Sequence, residues 1–130
     1  ELLQVVFSVF SKFGLIETFE ISHSVLLNFL LSIREKYKKV PFCDWKHAVD
    51  TFQYLAYEIA AGRVERFLTK EKILGLLLAA LCHDAGHDWF EQEAQMSMSS
   101  NALLSRYCSF NEVDHCLNAI SVISRVIVIL

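Results

Sequence analysis

Apolar residues return with the period of an α-helix along most of this chain, and that period decides the architecture before anything else. Leu2, Leu3, Val6, Phe7, Phe10 and Phe13 follow the i, i+3, i+4, i+7 rule, and Gly14 is a natural stop. Ser22 or Ser24 caps a second helix that turns Leu26, Leu27, Leu30, Leu31 and Ile33 inward. It runs into the basic stretch Lys36 to Lys39, which suits the negative end of a helix. Pro41 then forces a break, because the residue before a proline avoids the helical region. A third helix starts near Asp44 and carries Ala48, Phe52, Leu55, Ala56 and Ile59 up to Gly62. Thr69 caps a fourth, with Ile73, Leu74, Leu77, Leu78 and Leu81. Asn101 and Asn111 are each placed to start further helices. No stretch alternates apolar and polar residues long enough for a strand, and there is no internal repeat. The expected fold is all-α, a multi-helix bundle forming one domain over residues 1–130.

Composition narrows the function classes. At 130 residues and 54% hydrophobic, the chain can bury enough apolar surface to offset its ordering entropy, which excludes disorder. A net charge of −3 gives no basic surface for nucleic acid, so no nucleic-acid partner is expected. The charge-free runs Ile73 to Cys82 and Val126 to Leu130 fall far short of the roughly 20 residues a membrane span needs. Glu1 to Phe10 lack the basic start and small-residue cleavage site of a signal peptide. Cys43, Cys82, Cys108 and Cys116 form no CxxC pair and read as reduced thiols of a cytoplasmic protein. The segment Ser121 to Leu130, SVISRVIVIL, is apolar on every face. Such a helix belongs inside a larger core, so the chain is expected to be a piece of a bigger domain. The alternative is an oligomer partner that covers it.

Two clusters can carry chemistry. In Cys82-His83-Asp84-Ala85-Gly86-His87-Asp88, imidazole nitrogens and carboxylate oxygens follow directly on the apolar fourth helix. That donor mixture suits Zn²⁺, Mn²⁺ or a mixed pair of divalent cations. The same residues also read as a polar helix terminus, with a histidine favouring the dipole and Asp88 capping the next element. The second cluster, Phe42-Cys43-Asp44-Trp45-Lys46-His47, opens the third helix, with Asp50 a turn further on. Helices joined by a short turn run antiparallel, which brings the start of the third near the end of the fourth. His47 can therefore meet the His83-Asp84 doublet, unless it is an ordinary, partly exposed helix histidine.

These residues carry a resemblance. His47, an apolar helix, a glycine-containing turn and then the His83-Asp84 doublet resemble the HD superfamily of metal-dependent phosphohydrolases. More closely, Pro41 to Asp50 resembles the first signature of class I cyclic-nucleotide phosphodiesterases: Tyr-His-Asn, two residues, His-Ala, one residue, Asp. Leu78-Ala79-Ala80-Leu81-Cys82-His83-Asp84 is similar to the second, and Val25 to Tyr37 and Phe67-Leu68-Thr69 also look like this family. The resemblance reaches only the N-terminal part of the family's catalytic domain. It implies hydrolysis of a 3′,5′-cyclic nucleotide, cyclic AMP or cyclic GMP, to the 5′-monophosphate with Zn²⁺ and Mg²⁺ (or Mn²⁺).

Residue by residue, the resemblance implies that His47, His83 and Asp84 bind the first, zinc-type cation. It implies that Asp84 also reaches a second, magnesium-type cation, and that His87 stands behind the ligands. Cys43 occupies the position of the family's proton-donating histidine, and Gly86 stands where the family has an aspartate. Asn111 to Cys116 resembles the family's Leu-Glu-x-His-His only weakly, and Asn111 with Asp114 also reads as a capping box. The family's fourth ligand, an aspartate, and its purine-binding glutamine fall beyond residue 130. Little or no turnover is therefore expected from these 130 residues alone. A catalytically degenerate homologue acting as a regulatory domain is the alternative that Cys43 and Gly86 favour.

Overall fold

The structure is a computed structural model, and it describes residues 1–37 and 44–86. Five α-helices and one 3-10 turn occupy them, with no strand among the described residues. Helix α1 spans Leu2–Lys12, and its apolar stripe buries Val6 and Phe10. Gly14 ends it at φ 64, the left-handed region in which a residue without Cβ is unstrained. Helix α2, Leu15–Thr18, has no counterpart in the periodicity; four residues are too few to show a period. Leu15 at its start is fully buried, and the Thr18 hydroxyl donates to the Gly14 carbonyl over 2.6 Å.

Helix α3 spans His23–Lys36, and Ser22 is its cap, accepting from the Val25 N–H. Its inward face differs from the expected one. Leu26, Phe29, Leu30 and Ile33 are buried, whereas Leu27 and Leu31 are 39% and 38% exposed. The buried four keep the i, i+3, i+4, i+7 stripe; Leu27 and Leu31 each lie one residue, about 100°, off it. The helix stops at Lys36, because Tyr37 turns extended with ψ 121. Pro41, and the expected starts at Asn101 and Asn111, lie outside the described residues, as does the apolar segment Ser121 to Leu130.

Helix α4 spans Trp45–Ala61 and α5 Lys70–Cys82, separated by a 3-10 turn at Val64–Arg66. Their caps are the expected ones: Asp44 accepts from the His47 N–H, and Thr69 from the Lys72 N–H. Ala48, Phe52, Ala56 and Ile59 of α4 and Ile73, Leu77 and Leu81 of α5 are buried, so the helix phase read from the sequence is the one the core uses. Phe10 stacks on Phe52 at 6.0 Å, joining α1 to α4. Lys70 donates its Nζ to the Phe13 carbonyl and ties the end of α1 to the start of α5. No helix among the described residues is long and apolar enough to cross a membrane.

Candidate metal centre

The centre sits where the start of α4 meets the end of α5. Asp44 organises the first side. Its carboxylate takes up the His47 N–H at 2.8 Å, one of the orphan donors of a helix start. The first turn of α4 is thereby closed under the His47 side chain. On the second side the backbone leaves the helix after Cys82 and runs as a turn through Gly86. His83 and Asp84 stand in that turn, and the antiparallel course of the two helices brings His47 against them.

The three side chains converge. The His47 and His83 rings are 5.3 Å apart at 66°. Asp84 Oδ2 lies 3.2 Å from His83 Nε2 and 3.9 Å from His47 Nε2. One ligand atom from each residue falls within 4.8 Å of the others. The carboxylate is the most sheltered of the three, at 19% side-chain exposure against 34% for His83 and 44% for His47. The group is thus open to solvent on the His47 side.

The hydrogen bonds of the turn decide what these atoms can do. His83 Nδ1 lies 2.9 Å from the Ala80 carbonyl. A carbonyl only accepts, so Nδ1 donates to it, and Nε2 is the ring nitrogen left to face the Asp84 carboxylate, where a proton or a cation can bridge the two. Two imidazole nitrogens and a carboxylate oxygen, with one histidine oriented through its other ring nitrogen, are a donor set that fits a divalent cation such as Zn²⁺. The three residues therefore suit the group that the sequence resemblance implies. The C-terminal end of α5 adds its own partial negative charge beside the site.

Of the other residues singled out in the sequence, Asp50 is exposed on α4 and stands outside this cluster. Cys43 and His87 lie outside the described residues, as do Asp88, Asn111 and Asp114. Gly86 is described: it has φ 85, a conformation an aspartate side chain would strain, and its N–H donates to the Lys36 carbonyl at 3.1 Å. Sequence reasoning gave no role to Tyr37. Its hydroxyl donates to the Leu81 carbonyl at 2.8 Å and accepts from the Asp84 N–H at 3.4 Å. An aromatic residue inside a run of charges, as in Glu35-Lys36-Tyr37-Lys38, was the available signal.

Residues 42–128 match the family described as 3'5'-cyclic nucleotide phosphodiesterase. The cGMP-specific 3',5'-cyclic phosphodiesterase of Drosophila melanogaster is 38% identical over 84 residues, covering 65% of this chain and 8% of that protein. The proteins of the same description from Drosophila erecta and Drosophila pseudoobscura pseudoobscura are likewise 38% identical over 84 residues, covering 7% and 8% of their lengths.

Proposed function

This chain belongs to the 3'5'-cyclic nucleotide phosphodiesterase family, and from that premise we propose that His47, His83 and Asp84 hold a divalent cation for the hydrolysis of a 3′,5′-cyclic nucleotide. The product is the 5′-monophosphate. The observation that carries the reading is the meeting of three ligand atoms within 4.8 Å, drawn from the start of α4 and the turn after α5, both within the sequence matched to this family. Zn²⁺ is the cation we assign to the two-nitrogen, one-carboxylate set. A second, Mg²⁺ or Mn²⁺ cation beside Asp84 goes with the family resemblance. The relatives named above are cGMP-specific, which makes cyclic GMP the first substrate to try, ahead of cyclic AMP. A cytoplasmic location in a signalling role goes with this reading.

The chain's own residues divide the work. Asp84 brings the negative charge that holds a cation beside an anionic phosphodiester. His83 is held through Nδ1 by the Ala80 carbonyl, which leaves Nε2 as the nitrogen facing Asp84. His47 supplies the second imidazole from α4, on the side open to solvent. When bound, a divalent cation supplies Lewis acidity and neutralises the charge that builds on the phosphoryl oxygens. Cys43 is the residue we place at the leaving oxygen, and His87 behind the ligands. A thiol whose usual pKa is about 8.5 is a poorer proton donor there than a histidine near neutrality.

The test is an assay of the chain with Zn²⁺ and Mg²⁺ against cyclic GMP and cyclic AMP, beside Asp84→Ala. We expect metal-dependent formation of the 5′-monophosphate, abolished by Asp84→Ala. Its rate should lie well below the roughly 1–10³ s⁻¹ of typical enzymes, because Cys43 stands in the place of the family's proton-donating histidine. Turnover that Asp84→Ala leaves unchanged would overturn the assignment of the site.

A further inference from the structure

We infer that Tyr37 is a positioning residue for the cation site: its hydroxyl clamps the turn that carries His83 and Asp84 and so holds Asp84 in its ligating place. The inference rests on the metal-centre reading above and adds a residue to it.

The physical case begins where α5 runs out. The last carbonyls of a helix lose their intrahelical partners, and three of them lie just ahead of the doublet. Each is claimed separately. The Ala80 carbonyl takes the His83 ring, the Cys82 carbonyl takes the Ala85 N–H at 3.0 Å, and the Leu81 carbonyl takes the Tyr37 hydroxyl at 2.8 Å. The same phenol oxygen accepts the Asp84 N–H at 3.4 Å. One oxygen thus donates to the helix end and accepts from the ligand's own backbone, which a hydroxyl can do and an apolar ring cannot.

Tyr37 is itself well held. It is 9% exposed, and its ring meets Trp45, the first residue of α4, at 5.9 Å and 62°. Its neighbour Lys36 accepts the Gly86 N–H at 3.1 Å, so the end of α3 grips the turn at both ends of the doublet. Trp45 lies two residues before His47. Tyr37 therefore touches both halves of the site, α4 through its ring and the Asp84 turn through its hydroxyl. The contact spans 47 residues of sequence, so nothing local can replace it. Groups standing behind metal ligands in this way typically carry a 10–100-fold share of metal affinity, on the order seen when they are removed.

Tyr37→Phe separates the two roles, because it keeps the ring on Trp45 and removes only the hydroxyl. Two readouts on the full chain decide. In the metal-free protein, amide exchange at Asp84 should quicken roughly 2- to 10-fold, while Phe52 and Ala56 in α4 stay protected. In a Co²⁺ titration followed through the visible d–d bands, affinity should fall about 10–100-fold and the bands should shift. Para-aminophenylalanine at position 37 restores a polar hydrogen-bonding group at the same place. It should recover most of the affinity, and it carries the test if the phenylalanine variant does not fold. Equal Co²⁺ affinity and unchanged bands in Tyr37→Phe would overturn the inference alone. A wild-type chain that takes up no Co²⁺ would overturn the metal reading and the inference together.

Discussion

A single hydrogen bond sets the chemistry of His83. With Nδ1 committed to the Ala80 carbonyl, Nε2 is the nitrogen left to face Asp84. Cys82, the residue just before, has the opposite fate. It is buried, and burial pushes its thiol up to about 12. The thiolate is the nucleophile, and Cys82 holds almost none of it at neutral pH. Cys82 is therefore expected to resist iodoacetamide at pH 8 in the folded chain and to react once the chain is unfolded in guanidinium. Peptide mapping by mass spectrometry checks this, and rapid native labelling at Cys82 would contradict the burial of the α5 end. Cys82 therefore offers almost no thiolate beside His83 and Asp84.

At the scale of elements, the site depends on α4 and α5 keeping their phase and their packing. Leu77 and Leu81 are fully buried on the face of α5 that meets the core. Leu77→Ala should destabilise the fold by about 2–5 kcal/mol, the usual cost of a leucine-sized cavity. Chemical denaturation measures this, and a loss under about 0.5 kcal/mol, the range of surface substitutions, would refute the burial. The helices were legible because their caps and stripes agree: Asp44 and Thr69 each precede an apolar run of helical period. The phase of α3 was only partly legible. It offers leucine at 26, 27, 30 and 31, so hydrophobicity alone cannot choose the face, and Phe29 takes the place that Leu27 and Leu31 were expected to fill. Helix α2 was hidden for a different reason, its four residues spanning barely one turn. The convergence of His47 with His83 and Asp84 was readable because it needs only antiparallel neighbours. The Tyr37 clamp was not, since it depends on where the end of α3 lands in space.

At the scale of the whole molecule, His47 lies 36 residues before the adjacent pair His83-Asp84 and meets it only in the folded chain. A cation bound there favours the folded state over the unfolded one, where no such site exists. The central claim is that a family sequence and a helical core together build one cation site from His47, His83 and Asp84. X-ray absorption at the zinc edge of the metal-loaded chain tests it most directly. The account predicts imidazole nitrogens at about 2.0–2.1 Å and a carboxylate oxygen at about 2.0–2.2 Å, with the imidazole signal reduced in His47→Ala. Sulfur neighbours at about 2.3 Å, or a nitrogen shell that His47→Ala leaves untouched, would place the cation elsewhere and contradict it.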